Sequence, residues 1–216
     1  MYIPSHFACT EADVYELLSE MGGVEFVTLG DGGLESTFMP MLYLPEVGGH
    51  GVLRGHLARV NPQARPNSDR QALVVVHGPD SYVSPSYYPS KAEHGKVVPT
   101  WNYLTVHLYG EYQVHDDPEW VEQNVRGLTD KHEHRREHPW SVDDAPNDYI
   151  DAMLRAIVGV EIVVSRIEAK SKMSQNRPPQ DVEGVIAGLS AIGDHQGAAA
   201  VRHARELGNS ASARQP

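Results

Sequence analysis

Cysteine is almost missing from this chain: Cys9 stands alone among 216 residues, so no internal disulfide can form. That usage suits a reducing compartment, and a cytoplasmic location is the expectation. No apolar run approaches the roughly 20 residues needed to span a bilayer, so no membrane is expected among its partners. The opening MYIPSHF lacks the basic and apolar regions of a signal peptide. Positive charge is scarce as well. Lys and Arg number 18 against 29 Asp and Glu, for a formal net charge of −11. No helix gathers basic residues on one face, and an acidic chain is repelled by phosphate backbones, so direct DNA binding is doubtful. Also absent are a phosphate loop, a GxGxxG fingerprint, a GxSxG elbow and an HExxH zinc pair. With no general base standing out either, the best-marked hydrolase, nucleotide and zinc chemistries drop away.

What is present reads as strands. At 216 residues the chain is one domain, or one with an appendage. Apolar, β-branched runs at Val24–Leu29, Leu34–Leu44, Val52–Arg59, Ala72–His77, Thr100–Tyr112 and Val158–Ile167 alternate as strands do. Pro40 marks an edge or a bulge in the second run, and Gly78-Pro79 reads as a break after the fourth. Helices are fewer. Thr10 caps one that carries Val14, Leu17 and Leu18 and stops at Gly22-Gly23. Another starts at Asp117-Pro118-Glu119 and runs through Arg126, and that helix or a further one carries on to Glu137, ended by Pro139. Asp148–Ala156, Asp181–Leu189 and Gly197–Leu207 complete the set. Strands without βαβ alternation imply a mostly β fold with flanking helices, an antiparallel barrel. The domain reading is 1–180 for the barrel, 181–207 for a C-terminal helical appendage and 208–216 for a disordered tail.

Three constellations could carry chemistry. His132, His134 and His138 crowd into KHEHRREH, where the last two stand at i and i+4 of a helix and could ligate a metal. The same residues suit a solvated, highly charged helix end, and no metal site is assigned. Ser36-Thr37 and the run GHLARVNPQ end strands in hydroxyls, His56 and Arg59, which could converge on a phosphate. His56 and Arg59 have opposite strand parity, so a surface arginine and a buried histidine fit as well. Finally, the Pro-, Ser- and Tyr-rich stretch from His77 to Gly110 is long for a mere connector. It closes on Trp101-Asn102-Tyr103, rings that could stack on a planar ligand or fill a core. KSKMSQNR, with Lys170, Lys172 and Arg177, could neutralise a phosphate.

The blocks MYIPSHF, GHLARVNPQ, HGPDSYVSPSYYPSK, VPTWNYLTVHLYG, WSVDDAP, MLRAIVGVEI and KSKMSQNRP, in order from Met1 to about Leu189, resemble the PaiB-type FMN-binding negative transcriptional regulators. The resemblance implies an FMN-binding split β-barrel, related to pyridoxamine-phosphate oxidases, and a homodimer with FMN at the subunit interface. It assigns the cofactor's phosphate to Ser36 and Thr37 with His56, Leu57, Ala58, Arg59 and Asn61. Ser84, Pro85 and Ser86 match an ISPSWY-like block, with Tyr87 in place of the usual tryptophan. Trp101, Asn102 and Tyr103 match a TWNY block that reaches the cofactor from the partner chain. Lys172, Gln175 and Asn176 match KxxQN. The function implied is flavin binding with a regulatory role. A flavin-dependent oxidoreductase or flavin reductase is the alternative, and a haem-binding or haem-degrading split barrel is the lesser one. The cofactor would supply any redox chemistry.

Overall fold

Residues that alternate between apolar and polar can pave a sheet on one face and water on the other, and closing the sheet removes its edges. The computed structural model describes residues 1–65 and 69–212, the side chains of 208–212 excepted. Its strands are β1 (Gly23–Gly30), β2 (Gly33–Leu44), β3 (Val52–Ala58), β4 (Gln71–Val83), β5 (Thr100–His115) and β6 (Ile157–Lys172). They close into a barrel in the order β1-β2-β3-β6-β5-β4. Helices α1 (Glu11–Glu20), α2 (Ser90–His94), α3 (Pro118–Glu133), α4 (Asn147–Arg155), α5 (Pro179–Ala191) and α6 (His195–Ser212) accompany it. The mostly β barrel with flanking helices is therefore the observed fold. No helix among the described residues is long and apolar enough to cross a membrane.

Antiparallel registers fix which side chains meet. β1 and β2 form a hairpin from Gly30↔Gly33 to Gly23↔Pro40. The ladder between β2 and β3 then begins at Met41↔Gly55. Pro40 thus sits where β2 trades one neighbour for the next, a place where a missing N–H is tolerated. Gly110 on β5 is obligatory for a different reason: a Cβ there would lie 2.1 Å from the Val163 carbonyl oxygen.

The chain divides into two compact units, one of Tyr15–Val76 and His107–Glu168, the other of Met1–Val14, His77–Val106 and the chain from Ala169 onward. In the first, Phe26, Met41, Leu53, Leu108 and Ile162 are fully buried. Each contributes on the order of 1.5–3 kcal/mol by leaving water. In the second, the core is Val83, Tyr88 and Met173 packed on Val182, Val185, Ile186 and Leu189 of α5 and Ala198, Val201 and Ala204 of α6.

Several boundaries differ from the sequence reading, among them that β6 continues past Ile167 to Lys172. β4 runs unbroken through Gly78-Pro79. The glycine there is needed for close approach, because a Cβ would meet the Leu104 side chain at 2.9 Å. Helix α3 stops at Glu133 rather than Glu137: His134 caps it, and its Nδ1 lies 2.7 Å from the Lys131 carbonyl oxygen. The helical i, i+4 spacing of His134 and His138 is lost with it. Helix α6 extends to Ser212, and residues 213–216 of the expected tail lie outside the described residues.

Candidate functional site

In the barrel unit, β2 points alternate hydroxyls to opposite sides. Ser36 is exposed and donates to Glu25 Oε2 at 3.2 Å. Thr37 turns inward, donates to Gln63 Oε1 at 2.5 Å and accepts from Asn61 Nδ2 at 3.1 Å. Asn61 caps the 3-10 turn Pro62–Ala64, its Oδ1 taking the Gln63 N–H at 2.9 Å. Gln63 is 3% exposed, and its amide reaches on to Thr28 Oγ1 at 2.9 Å and the Phe26 carbonyl at 3.2 Å. The fold therefore brings Thr37 and Asn61 together but leaves Ser36 outside. The hub, Gln63, was not among the expected residues, although it follows Asn61-Pro62 directly.

His56 through Arg59 spread over different surroundings. Leu57 is a core residue, and Ala58 is exposed at the strand's end. His56 lies opposite Gly159 on β6, half-buried, with Nδ1 buried and without a hydrogen-bond partner among the described residues. Burial holds its imidazole below the ordinary histidine value. Arg59 lies past the end of β3, so strand parity does not govern it. Its guanidinium donates to the carbonyls of Arg155 at 2.8 Å and Ile157 at 3.0 Å, and to Asp116 Oδ1 at 2.7 Å.

The second unit joins the TWNY and KxxQN blocks. The Trp101 ring is 51% exposed, edge-on to Tyr82, and its Nε1 donates to Asp80 Oδ1 at 2.8 Å. Asn102 is 1% exposed; its Oδ1 accepts from Ser174 Oγ at 3.1 Å, and its Nδ2 has no partner among the described residues. Ser174 holds a left-handed backbone at φ 65°, unusual for a residue other than glycine. Lys172 donates to Thr100 Oγ1 and to the Trp101 carbonyl. Burial first, then Lys170 and Arg177, push its ammonium below the ordinary lysine value. Lys170 stands 5.4 Å from the Tyr103 ring centroid. Thr100 and Ser174, unassigned from sequence, are parts of this cluster.

Gln175 and the Ser84–Ser86 block are engaged locally. The Gln175 side chain accepts the Met173 N–H at 2.6 Å and donates to the Ser171 carbonyl at 2.7 Å, while Asn176 is exposed. Ser84 caps the 3-10 turn Pro85–Tyr87, its Oγ accepting the Ser86 N–H at 3.2 Å and lying 2.6 Å from Ser86 Oγ. Tyr87 packs so closely on α5 that a Cβ at Gly188 would touch its ring at 2.3 Å. Among the described residues, no three of His, Cys, Asp and Glu are grouped to hold a metal ion.

Barrel and helices define a protein of the split-barrel class. Residues 1–166 match the family described as "Putative FMN-binding domain", and the chain belongs to it. It is 33% identical over 191 residues to the protease synthase and sporulation protein PAI 2 of Bacillus subtilis, covering 88% of this chain and 89% of that one. An uncharacterised protein of Emericella nidulans is 33% identical over 186 residues, 74% of each chain. Among solved structures, a conserved hypothetical protein of Mycobacterium tuberculosis aligns with a TM-score of 0.58 at 14% identity, covering 82% of this chain and 94% of that one. A FAD and heme binding protein of Mycobacterium smegmatis gives a TM-score of 0.52 at 16% identity, with coverages of 85% and 80%. At these identities the structural likeness is one of fold.

Proposed function

We propose that the protein is an FMN-binding homodimer with a regulatory role like that implied by its PaiB-type sequence blocks, exerted through a protein or metabolite partner rather than by gripping DNA. The observation that carries the flavin reading is Asn102. A fully buried amide whose nitrogen has no protein partner among the described residues is costly, about 1–3 kcal/mol, and such groups point to functional positions. Trp101, next to it on β5 and so facing the other side of the strand, offers a half-exposed ring for stacking, and Lys172, without a carboxylate partner among the described residues, offers charge for an electron-rich edge. Ser174 holds the Asn102 oxygen, which directs the amide hydrogens elsewhere. In the barrel unit, Thr37, Asn61 and Arg59 would serve the phosphate end of a flavin that the TWNY block reaches from the partner chain, as the resemblance implies. Thr37 and Asn61 are held rigidly by Gln63, and Arg59 is fixed by three acceptors. FMN, when bound, would supply electron transfer; the chain supplies binding and orientation.

Absorbance of the purified protein tests this. Flavin bands at roughly 370 and 450 nm support the reading. A Soret band would replace it with haem, and a colourless protein that takes up no added FMN would end it. NAD(P)H oxidation at enzymatic rates by the flavin-loaded protein would favour an oxidoreductase over a regulator.

A further inference from the structure

At the barrel end where β3 and β5 finish and β4 and β6 begin, a cleft of about 390 Å³ is lined by Arg59, Arg65 and Arg70 against a single carboxylate, Asp116. In a chain of net charge −11, three arginines around one hollow stand out against the background. Two of the four charges cancel: Asp116 is bonded to Arg59. Arg65 and Arg70 have no ion pair among the described residues. Their backbones are nevertheless anchored, Arg65 by its N–H to the Pro62 carbonyl at 3.0 Å and Arg70 by its carbonyl to the Tyr112 N–H at 2.9 Å. Ala64, Val114 and Val158 add an apolar lining.

We propose that this cleft is a phosphate site, with Arg65 and Arg70 as its ligand-binding residues. Neither belongs to the flavin set assigned above. Guanidinium forks match pairs of phosphate oxygens, and two of them with no carboxylate bonded to either leave a net demand for a dianion. The volume leaves space beyond a phosphate for the first carbons of an ester. Asp69 and Glu111 border Arg70 in a neighbouring cleft, and their charge favours the arginine-lined hollow for an anion. The phosphate has two chemical sources: the terminal phosphate of the flavin nucleotide, which rests on the reading above, or a separate phosphorylated metabolite, which does not.

The test compares the wild type with the Arg65→Gln/Arg70→Gln double variant, using inorganic pyrophosphate, FMN and riboflavin as probes. Both side chains are exposed, so neither change removes core packing, and thermal midpoints check that the fold is kept. Pyrophosphate affinity is expected to fall about tenfold or more in the variant, the loss of charge-assisted bonds. A parallel loss for FMN with riboflavin unchanged identifies the flavin phosphate as occupant. Unchanged flavin affinities, with pyrophosphate still binding FMN-saturated wild type, identify a separate metabolite. Arg65→Lys/Arg70→Lys, which keeps charge but loses the forks, is expected to fall between. If neither flavin binds but pyrophosphate does, the flavin reading fails and the phosphate site stands. Pyrophosphate binding that is absent in the wild type, or equal in both proteins, overturns the site.

Discussion

Two polar clusters in this molecule, built from similar residues, are finished differently. Around Gln63 in the barrel unit, Thr28, Thr37 and the Phe26 carbonyl bond both ends of a buried amide, while Asn61 accepts the Gln63 backbone N–H and donates to Thr37. Around Asn102 in the other unit, Ser174 takes care of the oxygen and no group among the described residues takes the nitrogen. A satisfied buried network rigidifies its surroundings, whereas a half-satisfied one is a standing cost kept for another purpose. On the proposed reading, the contrast separates Gln63, in the block GHLARVNPQ, which builds the barrel, from Asn102, in the block VPTWNYLTVHLYG, which would wait on a ligand.

Substitution can break that contrast, and the largest effect belongs to Gln63. Gln63→Leu strips side-chain partners from Thr28, Thr37 and the Phe26 carbonyl, and chemical denaturation should show a loss of about 2–3 kcal/mol. Asn102→Leu removes one hydrogen bond but also one unpaired amide, so its cost should stay near or below about 1 kcal/mol. Equal costs at the two positions would erase the distinction between them.

His56 sharpens the comparison, because it is an unpartnered group within the barrel unit itself. Burial lowers its folded value, so the unfolded chain takes up a proton first as pH falls. Stability is then full above about pH 6.5 and declines as pH drops through that value. His56→Gln should flatten the thermal midpoint across this window. A profile that keeps the same slope in the variant would assign the acid loss to other groups. The smallest effect concerns Cys9, whose thiol is pushed up to about 12 by burial and by Asp13. Folded protein at neutral pH should therefore react with thiol reagents far more slowly than the same protein in denaturant.

Much of the fold was legible because alternation and turn residues act locally. The capping pair Thr10 and Asp13 is formed as read, the Asp13 N–H bonding Thr10 Oγ1 at 3.1 Å. Gly78-Pro79 misled because a glycine serving close approach and a glycine serving a turn look the same in sequence. The end of α3 misled for a related reason: helical propensity continues through Arg135 and Arg136, but His134 caps the helix before them. For the site, sequence blocks could place Thr37 with Asn61, and Asn102 with Lys172, only as neighbours in a motif. Which of two adjacent residues turns inward depends on register, as Ser36 and Thr37 show on β2. Gln63 and Ser174 gain their meaning from contacts 26 to 72 residues away in the chain, which no local pattern carries.

The central claim, that the unpaired Asn102 amide serves a flavin, is tested most directly by titrating wild type and Asn102→Leu with FMN and following quenching of flavin fluorescence. Saturable quenching by the wild type, weakened about tenfold in a variant of unchanged thermal midpoint, is the predicted result. Equal quenching by both proteins, or none by either, would contradict it.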